Sequence, residues 1–128
     1  MSRKNILAPT VVESSHSLSA SFNSTPTVIN WMDNCAYQIN VTTSDSVGAF
    51  TVQGSLDYVP ATSNTNLVAG NWATLSLGGD SLSVSSADDT MLINLNQLPF
   101  NAIRVHYQSS VAGTGHAQII VMLKQVGG

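Results

Sequence analysis

Asn101-Ala-Ile-Arg-Val-His-Tyr-Gln-Ser-Ser110, Val111-Ala-Gly-Thr-Gly115 and His116-Ala-Gln-Ile-Ile-Val-Met-Leu-Lys124 follow one another without a break. In the first arm Ile103, Val105 and Tyr107 alternate with Arg104, His106 and Gln108, the period-2 pattern of a half-buried strand. In the second, Ala117, Ile119, Val121 and Leu123 form one face, and Gln118, Ile120, Met122 and Lys124 the other. Gly113 and Gly115 lie between the arms, where a reversal at positive φ would use them, so the pattern predicts a terminal hairpin. The second arm is apolar on both faces at its centre, which predicts cover on both sides. In a small domain that cover comes from another sheet, a loop or another subunit.

Working back towards the N-terminus, the same alternation recurs. Leu18, Ala20 and Phe22 predict a strand over 15–22, and 27–32 a less regular one, with Asp33-Asn34 as a turn. Cys35, Tyr37, Ile39 and Val41 give the most regular strand pattern in the chain. Phe50, Val52, Gly54 and Leu56 predict a strand over 49–57, in which Gly54 marks a bulge or a close approach. Residues 58–70 read as a long loop of the kind that carries function or an interface. Short strands follow at 72–77, at Leu82 and Val84, and at Met91, Ile93 and Leu95. Turn chemistry separates all of these and no helical period occurs. The expected fold is all-β, an antiparallel β-sandwich, jelly roll or small barrel. Residues 1–14 break the alternation and contain Pro9, so they are expected to form an edge strand or an extended arm ahead of a single domain over 15–126.

Composition narrows the function. Only 9% of the 128 residues are charged while 43% are hydrophobic, so the surface is drawn from Ser, Thr, Asn, Gln and Gly. Such a surface has few charges to desolvate on contact, which suits packing against neighbours. Net charge is -3, and Arg3, Lys4, Arg104 and Lys124 form no long basic run, which argues against a phosphate-backbone binder. No apolar run reaches membrane-spanning length, and the N-terminal residues lack the apolar core of a signal peptide, so neither a membrane partner nor export by that route is expected. The single Cys35 permits no intrachain disulfide and sits where a small buried hydrophobe belongs. The sequons at Asn23 and Asn40 read as chance matches in a chain rich in Asn, Ser and Thr.

No chemistry-bearing pattern stands out. His16, His106 and His116 have no ligand spacing, even with Asp57 added, and no metal or cofactor is expected. Asp80, Asp88 and Asp89 lack the alternate carboxylates and closing Glu of a calcium loop. No Ser-His-Asp order or phosphate loop emerges either, so the expectation is a protein that is not an enzyme. Trp31, Trp72 and Tyr58 are candidates for a sugar-stacking or partner-stacking surface, with Trp72 the better exposed by parity. Arg104, facing outward among neutral neighbours, is a candidate anchor, because Arg is enriched at interface hot spots. Ile6, Leu7 and Val11 in the arm, with Ile120 and Met122 on the second face, complete the interface candidates.

Three segments together carry a resemblance: Asn40-Val41-Thr42 through Val47-Gly-Ala-Phe-Thr-Val-Gln-Gly-Ser-Leu-Asp-Tyr58, then Gly70-Asn-Trp-Ala-Thr-Leu75, then Leu98-Pro-Phe-Asn-Ala-Ile-Arg-Val-His-Tyr107 leading to Gly113-Thr114-Gly115. Over roughly 36–124 the chain resembles the small all-β virion proteins of tailed bacteriophages, of the capsid decoration (cement) type. The resemblance implies a structural protein on the capsid surface, assembled in the host cytoplasm. Its partners would be the major capsid protein and itself, as a homotrimer. A tail or neck subunit, or a carbohydrate-binding module using Trp72 and Tyr58, are the alternatives.

Overall fold

The computed structural model describes residues 3–6, 9–29, 34–42, 45–64, 66–75, 82–85, 88–96 and 101–127. In chain order the strands are β1 (Arg3–Ile6), β2 (Thr10–Ser17), β3 (Phe22–Asn23), β4 (Thr27–Val28), β5 (Asn34–Thr42), β6 (Val47–Ser55), β7 (Ala73–Thr74), β8 (Leu82–Ser85), β9 (Asp89–Asn96), β10 (Ala102–Val111) and β11 (His116–Gly127). They form two antiparallel sheets. In the first, β1 and β2 share one edge of β11, followed by β5 and then β9. In the second, β3 and β4 share one edge of β10, followed by β6, whose far side holds β7 and β8. The chain changes sheet at six of the ten connections between these strands, and with β1/β2, β3/β4 and β7/β8 each taken as one position the strand order is that of a jelly roll.

Alternation explains why these segments sit where they do. Cys35, Tyr37, Ile39 and Val41 of β5, Met91, Ile93 and Leu95 of β9, and Ala117, Ile119 and Val121 of β11 are buried on one side. Phe50 and Val52 of β6 and Ile103, Val105 and Tyr107 of β10 face them from the other sheet in a single core cluster. Truncating one such aliphatic, Ile119→Ala for example, costs about 2–5 kcal/mol. The Tyr107 ring packs 4.8 Å from Phe50 and 5.8 Å from Phe22. Cys35 lies in this core, and burial pushes its thiol up to about 12.

The structure corrects the expected terminal hairpin. β10 pairs with β6 and β11 with β5, so the two arms belong to opposite sheets. Each arm is long enough to be the central strand of its own sheet, and pairing them together would leave β5 with β9 on one side only and β6 with only the short β7 and β8. The link between them crosses the sandwich beside the link between β5 and β6. There Asp45 Oδ1 accepts the Thr114 N–H at 2.6 Å, and Ser46 Oγ accepts the Gly115 N–H at 3.3 Å. Gly113 is needed for close approach to Asp45 and Ser46 rather than for positive φ, since a Cβ would meet both residues.

Other boundaries shift for similar reasons. The strand expected over 15–22 is split: β2 ends at Ser17, and β3 begins at Phe22 in the other sheet. Leu18 is fully buried at the corner, its N–H donating to Gly115 O at 2.9 Å. Only Thr27–Val28 of the next expected strand is strand, residues 30–33 with Trp31 lie outside the described residues, and Asn34 opens β5 instead of closing a turn. Pairing runs through Gly54 without a slip; the irregularity in this ladder falls between Ser109 and Val111. Leu56 is 73% exposed because β6 has already ended. The strand expected over 72–77 is described only at Ala73–Thr74, as 76–81 lie outside the described residues. The N-terminal segment is drawn onto β11, with β1 against 124–127 and β2 against His116–Val121.

The Tyr107 ring and hydroxyl lie directly over Gly48, leaving no room for a Cβ. Gly48→Ala is therefore expected to cost about 1–3 kcal/mol by overpacking. Tyr107→Phe in the same background is expected to recover part of that loss. Denaturant titration of the two single variants and the double variant checks both the size and the coupling.

Candidate interaction surfaces

The 58–70 loop is folded back on itself by its own backbone and held by the polar residues that flank it. Val59 and Val68 exchange backbone hydrogen bonds at 3.0 and 2.9 Å. Asp57 Oδ1 accepts the Asn71 N–H at 2.8 Å, and Asp57 Oδ2 accepts Asn71 Nδ2 at 2.8 Å. Ser55 Oγ donates to Asp57 Oδ1 at 2.8 Å, and Asn101 Nδ2 donates to the Tyr58 carbonyl. Gly70 takes φ +76°, a conformation that side chains resist, and its missing Cβ would otherwise press on Ser55 and Tyr58. These ties fix where Trp72 emerges.

Trp72 emerges beside Arg104. The guanidinium carbon lies 4.3 Å from the indole centroid, and Arg104 Nε donates to Gln53 Oε1 at 2.8 Å. The indole N–H donates to Ala69 O at 2.9 Å, and Tyr58 packs against the ring at 5.5 Å between centroids. Two residues that the sequence marked separately thus form one half-buried shelf on the outer side of the second sheet. Partial burial lowers the guanidinium pKa from its ordinary value, but arginine stays protonated at any working pH. Because Arg104 and Tyr58 both lean on the indole, Trp72 is less free to stack a sugar than its sequence position implied.

The outer face of the first sheet is a different kind of surface. Its rungs are set by register: Gln118 beside Asn40 beside Thr90, Ile120 beside Gln38 beside Leu92, and Met122 beside Ala36 beside Asn94. The first row is a polar ladder, with Asn40 Nδ2 donating to Gln118 Oε1 at 2.9 Å and Thr90 Oγ1 donating to Asn40 Oδ1 at 3.0 Å. Gln38 Nε2 joins it at 3.2 Å from Asn40 Oδ1. The next two rows are mainly apolar. Pro9, Ala36, Leu92, Ile120 and Met122, with Gln38, line a shallow groove of about 280 Å³. Leu92 is 71% exposed, Val11 49% and Met122 38%. The expected cover on both sides of β11 is thus present on the inner side, whereas no second layer of described residues lies on the outer one. Ile6 pairs by its backbone with Lys124, and Leu7 lies outside the described residues.

The histidines are dispersed. His16 stacks on Phe22 with centroids 3.7 Å apart, and His106 Nδ1 lies 2.7 Å from Asn23 Oδ1. Among the described residues no three His, Cys, Asp or Glu side chains gather to hold a metal ion. The Arg104–Trp72 stack was not legible in sequence because nothing local links the two residues; only pairing of β6 with both β7 and β10 brings them together.

Comparison with known proteins adds little. No protein-family model and no curated protein matches the chain. Among solved structures, a family two carbohydrate esterase from Cellvibrio japonicus is similar at 11% identity and a TM-score of 0.38. The match covers 100% of this chain and 35% of that one, so the chain spans about a third of that protein's length. So low a score assigns nothing here.

Two predictions follow from the shelf. A double-mutant cycle between Arg104→Gln and Trp72→Leu, read by denaturant titration, is expected to give a coupling of about 0.5–1 kcal/mol, the range for an exposed cation–π contact. The Asp57 carboxyl is held below its ordinary value of 3.8, chiefly by the Asn71 N–H and then by Ser55 and the Asn71 side chain. Its anchoring of the loop is therefore fully present above 3.8 and is lost as pH falls through the lower folded value. The Asn71 amide resonance should stay constant from neutral pH to that point and shift below it. Asp57→Asn should show the loosened loop already at neutral pH.

Proposed function

We propose that this protein is a non-enzymatic structural subunit that binds the head shell of a tailed bacteriophage, in the manner of a capsid decoration protein. The observation that carries the reading is the outer face of the first sheet: apolar along Ile120, Met122, Leu92, Ala36 and Pro9, without a charged side chain among the described residues of its groove, and bordered by a satisfied amide ladder. Contiguous apolar surface with a polar border marks a protein contact. The jelly-roll order recurs in viral capsid and lectin domains, an analogy of fold that supports the reading without assigning it. The sequence resemblance to small all-β virion proteins points the same way. The partners are the major capsid protein and neighbouring copies of this chain. A tail or neck subunit would use the same face at lower copy number.

A second reading rests on the shelf. Tyr58, Trp72 and Arg104 lie together among the amides of Gln53, Asn71 and Asn101, a composition that suits a glycan. Arg104 over the indole weighs against it, because that face is taken.

Quantitative mass spectrometry of purified particles tests the reading. A ratio near equimolar with the major capsid protein is expected; a small fraction of that moves the protein to the tail or neck, and absence overturns the virion reading. Met122→Asp, at a partly exposed position, is expected to fold with an unchanged melting curve and to lose particle binding. Trp72→Leu should leave particle binding intact. If instead Trp72→Leu alone abolishes retention on an immobilised glycan panel, the second reading stands.

A further inference from the structure

A β-sandwich has four sheet edges, and an open edge presents unpaired backbone N–H and C=O groups to any strand that approaches. Three of the edges here are blunted. The β1/β2 edge is broken around Pro9, and β2 carries two register shifts against β11. The edges of the second sheet consist of β3, β4 and β7, of two residues each, and β8, of four. The remaining edge is β9, Asp-Thr-Met-Leu-Ile-Asn-Leu-Asn, eight residues paired with β5 without a slip. It holds no proline, lysine or bulge, and among the described residues no strand pairs with its far side.

We propose that β9 pairs antiparallel with β9 of a second copy about a two-fold axis perpendicular to the sheet, joining the two first sheets into one. Such an axis keeps the core faces on the same side, so a residue can only oppose one of its own parity. Two central registers satisfy this, Leu92 on Leu92 or Ile93 on Ile93. The first sets the two exposed Leu92 side chains against each other, Met91 against Ile93 and Thr90 against Asn94. It carries the row of Ile120, Gln38 and Leu92 directly into its mate. Asp89 then opposes Leu95, so no two carboxylates face each other across the junction. The second register places each Leu92 against Asn94 and gains less apolar contact, so the Leu92 register is the one assigned. Self-complementarity of one strand makes a second copy the occupant. The dimer goes beyond the head-shell reading; Leu92 borders both surfaces, and the two are told apart because the dimer is read by mass in solution and the head-shell reading by particle binding.

Sedimentation velocity of the full chain across a concentration series, followed by cysteine crosslinking, tests this. The wild-type protein should reach a dimer mass. Leu92→Lys places a charge on an exposed site and should return the protein to monomer with an unchanged thermal melt. Leu92→Cys should form a disulfide-linked dimer under mild oxidation faster than Leu67→Cys, an exposed loop control. Cys35 is buried with its thiol pushed up to about 12, so it stays out of the reaction. A wild-type monomer at every concentration overturns the proposal. So does an oligomer that Leu92→Lys leaves intact, or a Leu92→Cys rate no greater than the control.

Discussion

The ladder between β5 and β11 is the constraint on which the rest depends. It runs from Asn34 opposite Lys124 to Thr42 opposite His116 with no slip. Because side chains alternate across a strand, this register fixes which residues meet the core. It turns Tyr37, Ile39, Ala117, Ile119 and Val121 inward together and obliges Gln38, Asn40, Ile120 and Met122 to face out. A slip of one residue would expose the first set and bury two amides. The outer apolar row is thus a consequence of the inner one, and β9 inherits the same parity through β5.

In a chain with so few charges, where the acids go is informative. Asp45 ties the β10–β11 link through Thr114, Asp57 ties the long loop through Asn71, and Glu13 accepts the N–H and hydroxyl of Thr25 at the corner between the sheets. Asp89 accepts the Thr90 N–H at the start of β9. Each of these carboxylates closes a connection by satisfying a donor that would otherwise depend on water. That use leaves no carboxylate among the described residues of the groove on the first sheet, which can then meet a partner without a desolvation cost for an acid, and the connections stay fixed despite their length.

Much of this was legible because β5, β9, β10 and β11 have one buried face each, and a period of two cannot be mistaken over eight residues. Loop 58–70 was legible from its length and composition. What was not legible is which strands pair. Asn101 to Lys124 reads as two strands around a glycine turn whether they form a hairpin or cross between sheets, since both need a reversal. The choice was made elsewhere, by β5 and β6 needing central partners and by Asp45 and Ser46 receiving the link. The split at Leu18 has the same origin: the alternation of Leu18, Ala20 and Phe22 is compatible with one strand, but the chain changes sheet between the first and the last. Trp72 and Arg104 were each visible as exposed anchors, and their contact was not, because it exists only across the β6 register.

The two sheets therefore present unlike surfaces for one physical reason. The second sheet has short edge strands and a loop folded against its outer face, so its exposed groups are consumed internally: Arg104 by Gln53 and Trp72, the indole N–H by Ala69, Asn101 by Tyr58. The first sheet has long central strands and no loop of described residues across it. Its outer amides satisfy one another along Gln118, Asn40 and Thr90, which removes their need for water without placing anything above the neighbouring row. A hydrated charge at Ile120 or Leu92 would have made that row self-sufficient in solvent. Apolar side chains there gain only from burial, which the described residues do not provide.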